Sequence, residues 1–209
     1  MYLLPTISGG NMYKLCKTEG STQRQKEIEQ ILLTLMREKS YDEISVTEIC
    51  DRANMPRKSF YRYFDGKEGA MQSLLYHTMS EFNNVRLIDS TRKIREEFED
   101  LFAFWKNKKE FLEAFDKSGL LGLLIESSVS FAMSEFGDVE KYMSESDSRE
   151  KLISYQFLIC GIMTMMVNWY RSGFTETVPN IARCATRIIT KPLFEGVTPD
   201  GQNLEETAF

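Results

Sequence analysis

Apolar residues along the first third of the chain recur at three- and four-residue spacing, and each run is cut by Ser, Asn, Pro or Gly. Ile28, Ile31, Leu32, Leu35 and Met36 share one face of a helix predicted over residues 21–39, with Ser21 or Thr22 as its cap. Residues 39–43 break the pattern. Ser45 then caps a short second helix, with Glu48 three residues on as the other half of a capping box. Val46, Ile49, Cys50 and Ala53 form the apolar side of that helix. Asn54 tolerates the left-handed backbone of a sharp helix exit, and Pro56 suits a helix's first turn. A third helix is predicted over residues 56–64, burying Met55, Phe60 and Phe64, and a fourth over 67–88.

The same period continues to the C-terminal region. Helices are predicted over 90–107, 108–117 and 120–136, followed by a polar loop to 148 and two long helices over 149–171 and 178–194. The chain therefore reads as all-α. Its expected parts are a flexible arm (1–20), a helix-turn-helix head (21–66), a larger helical body (67–195) and a flexible tail (196–209).

Of the 209 residues, 42% are hydrophobic and 27% charged, which supplies a globular core. The net charge of -5 argues against a general polyanion binder, but the charge is unevenly placed. Between positions 52 and 67 stand Arg52, Arg57, Lys58, Arg62 and Lys67 against a single acid, Asp65. A local cationic patch of this kind docks on phosphate even when the whole protein is acidic.

Other chemistries fare poorly. The four cysteines (Cys16, Cys50, Cys160, Cys184) lie far apart and three sit in apolar helical patterns, so reduced buried thiols are expected. His77 is the only histidine, which leaves neither a zinc set nor a nucleophile–histidine pair; no catalytic residues, metal ligands or cofactor are expected. No apolar run approaches the ~20 residues of a membrane span, and residues 1–20 lack an export-signal pattern. The cytoplasm is the expected compartment, with no membrane partner.

What remains is the helix-turn-helix. Its third helix leaves Arg57, Lys58, Ser59, Tyr61, Arg62 and Tyr63 outside. Arg and Lys pair with guanine edges, Tyr and Ser with phosphate, and Tyr rings with thymine methyls. Tyr61 and Tyr63 would equally serve as packing against the first helix.

From Ser45 to Glu68 the chain resembles the tetracycline-repressor (TetR) family of bacterial regulators, most plainly at Ser59, Phe60, Tyr61, Tyr63, Phe64, Lys67 and Glu68. Asn54, Pro56 and Cys50 depart from the usual Gly, Ser and Ala of that pattern, all mildly. The resemblance implies that Thr47, Arg57, Lys58, Tyr61 and Arg62 face base edges while Ser45, Ser59, Tyr63 and Lys67 hold phosphates. It further implies a homodimer on a pseudo-palindromic double-stranded operator. Repression released by a small effector is the expected mode. The alternative is a regulator or co-activator acting through a partner protein.

Two apolar faces are candidates for the dimer contact: Tyr155, Leu158, Ile159, Ile162, Met163, Met166 and Trp169, and Ile181, Ala182, Ala185, Ile188 and Ile189. Paired across a two-fold axis they would make a four-helix bundle; alternatively they bury each other within one chain. Residues 155–173 also resemble the C-terminal domain of a Firmicutes-type subgroup of these regulators, some of whose members are associated with dihydroxyacetone-kinase operons. Nothing in the residues selects that role. Phe98, Phe102, Trp105, Phe111, Phe115, Met133 and Phe136 are candidates to line a cavity for an apolar effector, or are plain core.

Overall fold

The computed structural model describes residues 14, 16, 18–85, 93–134 and 147–191, and among them the chain is wholly helical, with no strand. We number the helices α1 (Glu19–Glu38), α2 (Val46–Arg52), α3 (Arg57–Phe60), α4 (Lys67–Val85), α5 (Ile94–Asn107), α6 (Lys109–Lys117), α7 (Leu121–Ser134), α8 (Ser148–Arg171) and α9 (Val178–Thr190). A 3-10 turn, Tyr41–Glu43, joins α1 to α2. Of the expected arm (1–20), residues 1–13, 15 and 17 lie outside the described residues, as does the tail at 196–209, while residues 19 and 20 already belong to α1.

Helix α1 starts earlier than its apolar period indicates. Thr18, not Ser21, is the N-cap; Ser21 closes a reciprocal box, its hydroxyl 2.8 Å from that of Thr18. At α2 the Ser45 hydroxyl accepts the Glu48 N–H at 3.2 Å as expected. The Glu48 carboxylate does not reach back; it pairs with Lys39 at 2.6 Å, so half of the predicted box forms. Helix α2 ends on Asn54 at φ 46, where Met55 N–H bonds Cys50 O and Asn54 N–H bonds Asp51 O. The left-handed exit read from Asn54 is present.

Buried side chains from α1 to α9 form one continuous cluster that includes Leu32, Phe60, Phe64, Leu74, Phe102, Trp105 and Met166. Head and body therefore share a core across the 66/67 division. Helix α1 packs on α4 and α6, α7 on α8, and α9 on α5. A polar seam reinforces the junction. Lys117 Nζ donates to the Arg37 and Glu38 carbonyls at 2.8 and 2.7 Å, and Tyr41 N–H donates to the Ser118 hydroxyl at 3.1 Å.

Most of the residues expected at a dimer contact are enclosed by the chain's own packing. Tyr155, Ile162, Met163, Met166, Trp169, Ile181, Ala182 and Ala185 are buried inside the single chain. They do not pair α8 with α9 but turn onto α5 and α7: the Trp169 ring meets Phe102 edge-on at 5.6 Å. Leu158 and Ile159 are half-buried, and only Ile188 and Ile189 stay exposed. On α8 the large apolar residues that face solvent are Leu152, Ile153 and Phe157.

The candidate effector pocket is filled. Phe98, Phe102, Trp105, Phe111 and Phe115 are buried, with Phe111 and Phe115 stacked at 4.3 Å. Met133 is half-buried, and Phe136 lies outside the described residues. An open cavity of about 400 Å³ lies instead between α1 and α6, lined by Thr34, Arg37, Glu38, Glu113 and Lys117. Its walls are charged, unlike an apolar effector's site.

Helix α8 is, by length and composition, apolar enough to cross a membrane, contrary to the reading of the sequence. Its buried face packs against α7 and α5 while Ser154, Gln156, Thr164 and Asn168 face outward. That two-sidedness is what a bundle helix shows.

Candidate nucleic-acid interface

The interface is built on a buried frame. Phe60 and Phe64 are fully enclosed with ring centroids 5.2 Å apart, and Ile49 and Cys50 close the frame from α2. Burial pushes the Cys50 thiol up, so it stays protonated, although Arg57 opposes the shift. Arg24 crosses from α1 to donate to the Ala53 carbonyl at 2.8 Å, fixing the end of α2.

The predicted third helix is α-helical for only one turn, Arg57–Phe60. Residues 61–64 continue it with mixed bonding: Arg62 N–H to Ser59 O and Tyr63 N–H to Phe60 O are tight i-to-i−3 bonds, whereas Phe64 N–H reaches Phe60 O. The turn keeps Phe60 and Phe64, four residues apart, on its buried side. It leaves Arg57, Lys58, Tyr61 and Arg62 outside.

Eight of the nine residues proposed for DNA divide three ways. Thr47, Arg57, Lys58 and Arg62 are exposed, and Tyr61 is 43% exposed with its hydroxyl 3.4 Å from the Arg57 guanidinium. Ser45 is exposed, but its hydroxyl serves the α2 cap. Ser59 and Tyr63 are half-buried, Tyr63 packing against the core cluster.

Lys67 differs most from expectation. Its ammonium donates to the carbonyls of Tyr41, Asp42 and Ile44 at 3.0, 3.3 and 3.0 Å and lies 4.5 Å from the centre of the Tyr41 ring. All three donors are taken by the 3-10 turn, so the side chain secures α4 to that turn. Arg52, counted in the cationic patch, is likewise held by two 2.8 Å bonds to Glu38.

One participant escaped the sequence reading altogether. Lys14 N–H donates to Tyr63 O at 2.8 Å, the Lys14 carbonyl accepts from buried Gln25 at 3.2 Å, and its ammonium donates to Tyr61 O at 3.3 Å. Position 14 is thus tied to the α3 turn rather than free. It sits in a weakly patterned stretch, which gave no signal for it.

Residues 33–73 match the family model described as "Bacterial regulatory proteins, tetR family". No curated protein matches by sequence. Solved structures of similar fold include the "Dihydroxyacetone kinase operon activator DhaS", at 17% identity and TM-score 0.55, covering 79% of this chain and 93% of that one. The fatty acid degradation regulator FadR from Bacillus halodurans is similar at 13% identity and TM-score 0.56, covering 86% of this chain and 98% of that one. A tetR-family transcriptional regulator from Streptomyces coelicolor follows at 16% identity and TM-score 0.53, covering 78% and 79%. At these identities the likeness is one of fold. Over residues 33–73, the α1 end to the first turns of α4, the chain is similar to the tetR-family model.

Proposed function

We infer that this chain, carrying a tetR-family head, regulates transcription by seating α3 in the major groove of a pseudo-palindromic operator as a homodimer. The observation that carries this reading is the separation of roles on the α2–α3 unit. Apolar residues lock its inner side, while Thr47, Arg57, Lys58, Tyr61 and Arg62 stand outward with unneutralised cations. The head (21–66) would read DNA, and the body (67–195) would pair subunits. Such a partner places the protein's work in the cytoplasm.

The pairing surface we propose is the outer face of α8 with α9. Phe157 is 81% and Ile153 57% exposed on α8, and Ile188 and Ile189 are exposed on α9. Two heads are what a two-fold operator needs. The C-terminal likeness to the Firmicutes-type subgroup belongs to the same proposal; Trp169-Tyr170 and Gly173 form the α8 exit, with Gly173 at φ 76.

Release of a repressor by a small effector is one mode of action. A second mode, in which a partner protein sets the output, is supported by the enclosed, stacked aromatic residues at the expected pocket. Selection of bound fragments from a random duplex library tests the core of the proposal: a two-fold symmetric consensus is expected. Failure to enrich any motif overturns it, and enrichment only with a second protein present supports the partner mode.

A further inference from the structure

We propose that Lys14 is a phosphate-contacting residue of the DNA interface, pinned beside the recognition turn by its own main chain; this rests on the DNA-binding reading above. The neighbourhood is unusual for a residue ahead of the first helix. Its N–H and carbonyl are both bonded, one to Tyr63 and one to Gln25, whose side chain is almost wholly enclosed. Tyr61 and Tyr63, the two carbonyls it meets, flank Arg62, one of the outward cations. Lys14 therefore lies alongside the outward-facing turn rather than behind it.

Its chemistry suits the position. The ammonium spends one donor on the Tyr61 carbonyl, is exposed, and has no carboxylate partner among the described residues. Two donors and a full charge are left for an oxygen supplied from outside. This is the reverse of Lys67, whose three donors are all bonded within the chain. Main-chain anchoring also lowers the conformational entropy lost when the side chain grips a phosphate.

A phosphate contact has a signature that structural support lacks. Each neutralised phosphate adds about 0.9 to the slope of log affinity against log salt. The test uses the full chain and the duplex enriched by selection, with binding followed by fluorescence anisotropy across a potassium chloride series. Lys14→Gln keeps a donor for Tyr61 but no charge, Lys14→Met keeps neither, and Lys14→Arg keeps both. Lys109→Gln, on α6 beside Glu113, is the control for general charge.

We expect Lys14→Gln and Lys14→Met to flatten the slope by about 0.9 and weaken specific and random duplexes alike, several-fold. Lys14→Arg and Lys109→Gln should keep the wild-type slope. An unchanged slope in Lys14→Gln overturns the inference even if affinity falls, since a splint for the turn would act that way. An equal flattening in Lys109→Gln also overturns it. If the wild-type chain binds no duplex at all, the DNA-binding reading fails, and this inference with it.

Discussion

His77 Nδ1 lies 2.9 Å from both carboxylate oxygens of Glu29, a pair that ties α4 to α1 where head meets body. Glu29 is 2% exposed, and the Ser73 hydroxyl donates to the same carboxylate. A buried carboxylate is tolerated only with such partners.

Removing the imidazole should therefore cost more than its own packing. His77→Ala is expected to lower unfolding stability by about 2 kcal/mol, at the lower side of buried-pair losses because the ring is partly solvated. Urea unfolding checks this. Adding Glu29→Gln should recover part of the loss, and strictly additive effects would show that the two residues do not act as a pair.

Arg57 and Arg62 are exposed on the α3 turn, with no carboxylate partner among the described residues. Replacing either by Ala should weaken the selected operator by about 1–3 kcal/mol and relax preference at one base position. Repeating the duplex selection with each variant reads both effects. A uniform loss across all sequences would assign that arginine to phosphate instead.

Lys67→Met should behave differently. It strips the ammonium from three carbonyls of the 3-10 turn, so we expect a loss of about 1–3 kcal/mol in urea unfolding with the salt slope of DNA binding unchanged. A flatter slope with unaltered stability would restore the phosphate role that the family pattern implies.

Much of the head was legible because its determinants are local. Asn54 set the turn, Ser45 the cap, and the spacing of Phe60 and Phe64 the buried side. The hold of Lys67 on the 3-10 turn was not legible, because its partners, Tyr41 to Ile44, are more than twenty positions away, and a motif does not say which donor a carbonyl elsewhere will claim. In the body, period located the helices but not their orientation. Helix α8 is apolar over so much of its circumference that Met166 and Phe157 look equivalent in sequence, yet one is fully enclosed and the other is open. Which face turns inward depends on α5 and α7, elements brought together only by the fold.

Cys50 gives a probe of the frame behind α3. Burial holds its thiol protonated above the ordinary thiol range, so the stability this contributes is present below that range and declines as pH rises through it. Alkylation followed by peptide mass spectrometry should leave Cys50 unlabelled at neutral pH and label it in step with urea unfolding. Rapid labelling of the folded chain would mean that the α2–α3 packing opens locally.

Phe157 separates the two surfaces that α8 could offer a second copy. Its ring is open to solvent and contributes little to the chain's own core, whereas Met166 is enclosed within it. Covering a phenyl group is worth roughly 1.5–3 kcal/mol, and a two-fold axis counts each such residue twice. Phe157→Glu should therefore place two like charges at the contact and shift the sedimenting species from dimer to monomer, with helicity unchanged. Operator affinity should fall with it, because a single head reaches one half-site. Met166→Ala, by contrast, should lower unfolding stability by about 2–5 kcal/mol while those chains that fold still pair. If Phe157→Glu remains dimeric and Met166→Ala alone dissociates, the contact runs through the inner face, and α8 must rotate to make it.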